Sequence, residues 1–168
     1  MKKIHKGKKF SLIVKTSKKN SKKSIEEGIE HSGVAAILAI ENGKILLEKQ
    51  KRFPNGETLE IPAGTLEKGE SPLHCAVREL KEETGYQAKK ISPLIKFHPS
   101  ISFSTEVVNC FLASQIKKTS EQNLEEYENI SIVKIDFKKV LKMINQGKIT
   151  DSKTICAVLT YAAKRKIY

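Results

Sequence analysis

The stretch Gly64–Tyr86, GTLEKGESPLHCAVRELKEETGY, decides how the rest of the chain is read. It contains a turn-forming loop, a helix start, a helix stop and a cluster of acids between them. Ser71 followed by Pro72 predicts an N-cap and first-turn pair, because serine accepts from an orphan amide and proline has none to leave unpaired. Gly85 predicts a left-handed C-terminal stop. Between them Leu73, Val77, Leu80 and Thr84 recur at helical spacing and form the expected buried stripe. Glu79, Glu82 and Glu83 stand at i, i+3 and i+4, so their carboxylates converge on another face.

Such a cluster admits two readings. On an exposed helix, like charges four apart cost only about 0.2–0.5 kcal/mol per pair, and three glutamates are then a solvated face. In a cleft with an effective dielectric near 20, each pair about 6 Å apart would repel by roughly 3 kcal/mol, and a cation is called for. Hard carboxylate oxygens suit Mg2+ or Mn2+.

The whole stretch favours the second reading. It resembles the Nudix hydrolase box: glycine, five residues, glutamate, seven residues, then Arg-Glu-apolar-any-Glu-Glu-any-Gly-apolar. Here those positions are Gly64, Glu70, Arg78, Glu79, Leu80, Glu82, Glu83, Gly85 and Tyr86, with no mismatch. Nine specified positions at fixed gaps form a far more specific signal than a lone glycine motif.

Composition sets the frame. A chain of 168 residues suits one domain with a short appendage. Its longest apolar run, Val34–Ile40, is far too short to span a bilayer, and the basic N-terminus lacks the apolar segment of a secretory signal. Cys75, Cys110 and Cys156 are odd in number and in no metal-ligand spacing, as expected of reduced thiols in a cytoplasmic protein. Cys75, near the glutamate face, is expected to be a spectator. The net charge of +12 is unevenly placed: residues 1–24 hold ten lysines and no acid, while the remaining 21 basic and 19 acidic residues nearly balance. A basic arm of this kind suits nucleic acid or a polyanionic substrate. With little aromatic interleaving, it reads more simply as a solvated tail.

Along the chain, Phe10–Val14 and Ile25–Glu30 read as short strands. Val34–Ile40 reads as a strand buried on both faces, turning at Asn42-Gly43 into a strand over Lys44–Glu48. Thr58–Ile61 leads into the box. Ile91–Phe97, Val107–Ala113 and Ile130–Ile135 follow as strands, with an acidic loop over Ser120–Asn129. Asp136 caps a helix stopped by Gly147, and Asp151 or Ser152 caps a last helix with Ile155, Val158, Leu159 and Ala162 inward. Strands interrupted by one helix and ended by two predict an α/β fold with a mixed sheet between helices.

The resemblance extends beyond the box. Glu48-Lys49-Gln50-Lys51-Arg52, Glu60-Ile61-Pro62-Ala63-Gly64 and the tail Gly147–Thr154 resemble the ADP-ribose pyrophosphatase branch of the family. That resemblance implies an α/β/α sandwich over 33–168, with the N-terminal strands of 1–32 reaching across a homodimer. It implies hydrolysis of a nucleoside diphosphate-sugar, ADP-ribose to AMP and ribose 5-phosphate, aided by two or three Mg2+ or Mn2+ ions. Such ions neutralise phosphate charge and acidify a water. By resemblance Glu79, Glu82 and Glu83 hold them, with the Ala63 carbonyl a further ligand. Glu70 and Arg78 are orienting partners or a plain salt bridge. Arg52 and Glu60 belong to the substrate-binding set. The general base is expected from Glu125-Glu126-Tyr127-Glu128, with Glu126 first and Glu128 in reserve, and Glu106 is also expected within reach of metals or substrate. One departure stands out: the branch carries Ser-Pro-Gly-Phe where this chain has Ser100-Ile101-Ser102-Phe103. Substrate choice is therefore open to another Nudix specificity, such as a GDP-sugar, a dinucleotide or a damaged nucleotide. A non-catalytic nucleotide- or nucleic-acid-binding module stands as a third reading, which the intact carboxylate set disfavours.

Overall fold

The computed structural model describes residues 1–20, 22–126 and 128–167; Tyr127 of the acidic loop lies outside them. Three N-terminal strands, β1 (Lys2–Lys6), β2 (Ser11–Lys19) and β3 (Lys22–Glu30), form an antiparallel sheet of their own. The sequence reading missed β1, whose lysines and histidine show no apolar alternation; all five of its residues are exposed.

The second sheet contains β4 (Val34–Glu41), β5 (Lys44–Arg52), β6 (Gly56–Glu60), β7 (Ala63–Thr65), β8 (Tyr86–Phe97), β9 (Val108–Lys118) and β10 (Ile130–Asp136). Its main path runs β10-β5-β4-β9-β8, with β6 paired to β5 and β7 paired to β4. β4 and β9 are parallel and the other pairs antiparallel, so the sheet is mixed. Side chains alternate across β4. Ala35, Ile37 and Ala39 meet α1 (Pro72–Thr84), while Ala36 and Leu38 meet the layer of α2 (Phe137–Asn145) and α3 (Ser152–Arg165). Both faces of the central strand are buried, and the result is the expected α/β/α sandwich.

The caps follow the sequence. Ser71 Oγ accepts from His74 N at 3.3 Å, and Gly85, at φ +75°, donates its N–H to the Lys81 carbonyl. A Cβ at Gly85 would also come within 2.2 Å of the Ser120 carbonyl oxygen, so both conformation and space require glycine there. Asp151 caps α3 by accepting from Thr154 N at 2.9 Å.

Two helix faces differ from expectation. On α1, Leu80 and Thr84 are buried, but Leu73 and Val77 are 43% and 42% exposed. Cys75 and Ala76 take the inward positions instead, opposite Ala35, Ala39 and Ala113. Small residues on both sides let the helix approach the sheet closely, which brings its last turn onto the end of β7. On α3, Leu159 is likewise exposed, and Thr154, Ala157, Val158 and Ala162 face inward.

Candidate active site

β7 and α1 meet at Gly64. A Cβ on that residue would lie 1.6 Å from Glu79 Oε1, so the Glu79 carboxylate rests directly on the strand backbone. Arg78 gathers the surrounding acids. Its Nε and Nη2 donate to Glu70 at 2.9 and 3.1 Å, and its Nη1 reaches Glu79 Oε1 at 2.8 Å and Glu82 Oε2 at 3.0 Å. The bidentate guanidinium holds the Glu70 carboxyl at about 2, well below its usual value, and the acids raise Arg78 in turn. Glu79 is raised by burial against the pull of Arg78, with Glu82 and Glu128 adding to the rise. Among the described residues no three His, Cys, Asp or Glu side chains close into a finished coordination shell: Glu79 and Glu82 are turned to Arg78. Cys75 sits beneath the cluster, with its thiol pushed up to about 12 by burial and then by Glu70 and Glu79, as befits a spectator.

Glu83 is different. It is 4% exposed, and its Oε2 accepts from Ala63 N at 2.9 Å. Its carboxyl faces that of Glu48, a fully buried residue of β5. Burial first, and then the charges of Glu48 and Glu79, raise Glu83, while burial raises Glu48 against a hydrogen bond it shares with the Glu83 carboxyl. Gln50 Nε2 donates to Glu48 Oε2 at 3.3 Å, while Glu48 Oε1 has no hydrogen-bond partner.

A second cluster lies on the neighbouring wall. Arg52 donates to both oxygens of Glu60, from Nε at 3.1 Å and Nη2 at 3.0 Å. Lys153 bridges Glu60 Oε2 at 2.6 Å and Asp151 Oδ1 at 2.8 Å, and Thr58 Oγ1 donates to Glu60 Oε1 at 2.6 Å. Burial alone would raise the Glu60 carboxyl, but these donors outweigh it and hold the group at about 2. Burial pulls Lys153 down, and Asp151 and Glu60 more than restore it.

Members of both clusters border one cavity of about 640 Å³, whose wall includes Arg52, Glu79, Glu82, Glu83, Glu128 and Lys153. A carboxylate wall thus faces a cationic one across a space large enough for a nucleotide. The NUDIX domain family model matches residues 30–151.

The chain belongs to the Nudix family.

It is 40% identical over 159 residues to an ADP-ribose pyrophosphatase of Bacillus subtilis (strain 168), covering 92% of this chain and 86% of that one. It is 39% identical to a methanol dehydrogenase activator of Bacillus methanolicus, covering 83% and 77% of the two chains. A GDP-mannose pyrophosphatase of Yersinia pestis (strain Pestoides F) is 35% identical, covering 95% and 84%. The crystal structure of an ADP compounds hydrolase superposes with a TM-score of 0.83 at 19% identity, covering 98% of this chain and 91% of that one. At that identity the superposition speaks for the fold.

The Nudix box and its surroundings bring together most of the residues singled out in the sequence. Glu79, Glu82, Glu83, Arg78, Ala63, Arg52 and Glu106 all border the cavity. Glu60 does not: it is 3% exposed and engaged by three donors, Arg52 among them. In the acidic loop, Glu125 and Glu128 border the cavity, whereas Glu126 is exposed and off its wall. Ile101 projects into solvent at 79% exposure, with its neighbour Pro99 on the wall. Phe103 of the same loop is tied to β3 through its carbonyl, which accepts from Ile29 N at 2.7 Å. Sequence reading missed Glu48 and Lys153. Lys153 had a signal, since it stands two residues after the Asp151 cap on a helix start that resembles the family's tail.

Proposed function

We propose that the chain hydrolyses the diphosphate of a nucleoside diphosphate-sugar, with ADP-ribose the favoured substrate and AMP and ribose 5-phosphate the products. The observation that carries this reading is the single cavity in which the box glutamates face Arg52 and Lys153, in a chain 40% identical to an ADP-ribose pyrophosphatase. The residues present fit divalent cations: hard carboxylate oxygens crowd around Gly64, and Glu48 Oε1 is buried without a donor. Glu79, Glu82 and Glu83, with the Ala63 carbonyl, would hold Mg2+ or Mn2+. Bound there, two or three such ions would supply neutralisation of phosphate charge and acidification of the attacking water.

The protein's own groups do the rest. Arg78 keeps Glu79 and Glu82 gathered and releases them as their charge finds another partner. Arg52 and Lys153, positioned by Glu60 and Asp151, offer two cations to the diphosphate oxygens. Glu128, on the cavity wall and close enough to raise Glu79, is the better-placed acceptor for the water's proton, ahead of Glu126. Glu106 borders the same space and contributes to the substrate site.

The test is a panel of nucleoside diphosphates with Mg2+, measuring AMP release from ADP-ribose. Turnover of a GDP-sugar alone would favour the second reading, which the 35% identical GDP-mannose pyrophosphatase and the altered Ser100–Phe103 loop support. Glu128→Gln is expected to lower kcat by about 100-fold or more, and Glu126→Gln by little; the reverse order would return the role to Glu126.

A homodimer joined through residues 1–32 is part of the same proposal, supported by Ile4 and Ile25, 52% and 59% exposed on the N-terminal sheet. Light scattering of the full chain and of one lacking residues 1–32 tests it. A cytoplasmic setting is supported by three unpaired cysteines, and no helix among the described residues is long and apolar enough to cross a membrane. Lys8 and Lys9 of the lysine-rich arm border the cavity, which supports a role toward the polyanionic substrate; salt-sensitive RNA binding lost on deleting residues 1–24 would revise that.

A further inference from the structure

Glu48 belongs to no box position, yet among the described residues it is the side chain with a buried polar atom lacking a hydrogen-bond partner. It sits on β5 with no exposure at all, between the two clusters described above. On one side its carboxyl meets Glu83; on the other, its register partner across the β5–β6 pair is Glu60. Gln50 Nε2 donates to Oε2 at 3.3 Å and the facing Glu83 carboxyl shares a hydrogen bond that lowers Glu48 against its burial, while no amide, hydroxyl or cationic donor reaches Oε1. Arg52 and Lys153 act on Glu48 only at a distance, since the bonds they make run to Glu60 and Asp151. A buried carboxyl with a free oxygen is costly unless something positive completes its surroundings.

Glu83 shows where that positive charge would enter. It borders the cavity, whereas Glu48 lies directly behind it. A cation held by Glu83 would therefore feel two buried carboxyls, one in contact and one beyond it. We propose that Glu48 is a positioning residue of the cation site, a buried negative charge behind Glu83 that strengthens divalent-cation binding there at the expense of the metal-free protein. It acts through Glu83 and touches no substrate. This rests on the metal-dependent reading of the site above.

The two halves of the proposal have opposite signs, which a purely structural side chain would not give. Glu48→Gln keeps the shape and can donate to Glu83, but carries no charge. Mn2+ titration followed by the EPR signal of the free ion, with melting of the metal-free protein alongside, reads both halves. The expected result is an affinity at the tightest Mn2+ site weakened by about 10-fold or more, with metal-free melting no lower than in the wild type. Any other combination overturns the proposal, including unchanged affinity with a lower melting temperature. If the wild type itself binds no Mn2+, the metal-dependent reading falls too; if it binds and Glu48→Gln binds equally, only the role of Glu48 falls. Should the variant not fold, wild-type crystals grown with Mn2+ decide the matter through their anomalous map. A peak within about 6 Å of the Glu48 carboxyl supports the proposal. Peaks held only by Glu79 and Glu82 beyond that distance overturn it.

Discussion

Glu60 and Glu83 are the same residue type at nearly the same depth, 3% and 4% exposed, and their environments are opposites. Around Glu60 three donors converge from Arg52, Lys153 and Thr58, and the carboxyl is held at about 2 despite burial. Around Glu83 there is one backbone donor from Ala63 and a second carboxyl from Glu48, and the group is raised. Burial pushes both the same way, so the partners decide. Glu60 is electrostatically complete and shapes the site by holding Arg52 and Lys153. Glu83 is incomplete, and a buried, raised carboxyl on a cavity wall is what the proposed cation site calls for.

Replacing the incomplete member should be felt most in turnover. Glu83→Gln is expected to lower kcat/KM by at least ~100-fold, since it removes a proposed direct ligand where loss of supporting groups alone costs 10–100-fold. It should leave metal-free stability unchanged or slightly higher, because a raised carboxyl loses no favourable charge on becoming neutral. Steady-state kinetics beside metal-free melting checks both. Near-wild-type turnover would remove Glu83 from the metal set and with it one half of the contrast.

Replacing the complete member should be felt in folding. Glu60→Gln removes the carboxylate that holds Arg52 and leaves Lys153 its bridge to Asp151, and breaking such a mostly buried network costs about 3 kcal/mol. For a chain of this length that lowers Tm by roughly 6–12 °C. The pH dependence carries the same sign. The folded carboxyl at about 2 lies below the ordinary 4.5, so the unfolded chain binds more protons between those values. The stabilisation is complete above about pH 4.5 and is lost as pH falls toward 2. Denaturant melts of wild type and variant should therefore converge on acidification, and curves that stay parallel would show that Glu60 is not the group responsible.

The contrast was only half legible in the sequence. The box helix, its caps and the carboxylates of α1 are local: spacing, Ser71-Pro72 and Gly85 carry them. The buried face of α1 was misjudged at Leu73 and Val77 because periodicity ranks large apolar residues first. Packing chose the small Cys75 and Ala76, which let the helix close on the sheet. Glu48 was taken as the polar end of a short strand. β5 instead continues to Arg52, and four consecutive residues, Ile45 to Glu48, are buried because both faces of the strand are covered. No local pattern marks a glutamate inside such a run. The pairing of Glu60 with Lys153 spans 93 residues and exists only once α3 docks beside β6. The choice between Glu126 and Glu128 depends on the course of an irregular loop, where neither period 2 nor period 3.6 applies.

The smallest effect tests how closely the carboxylate wall must fit its strand. Gly64 has no left-handed backbone to protect, so an alanine there meets no conformational penalty. Its methyl would instead overlap Glu79, at 1.6 Å from Oε1 and 2.0 Å from the carboxyl carbon. A side chain can swing away where backbone could not, and the fold should survive with metal-free melting close to that of the wild type. Moving outward, Glu79 would leave its place beside Arg78 Nη1 and widen its distance from Glu83. Gly64→Ala is thus expected to weaken Mn2+ binding by about 10-fold while Glu60 and its donors, on the other wall, stay undisturbed. A loss of stability comparable to that of Glu60→Gln would mean that Glu79 is packed in place as rigidly as Glu60. The carboxylate wall would then be part of the scaffold rather than a set of groups waiting for a cation.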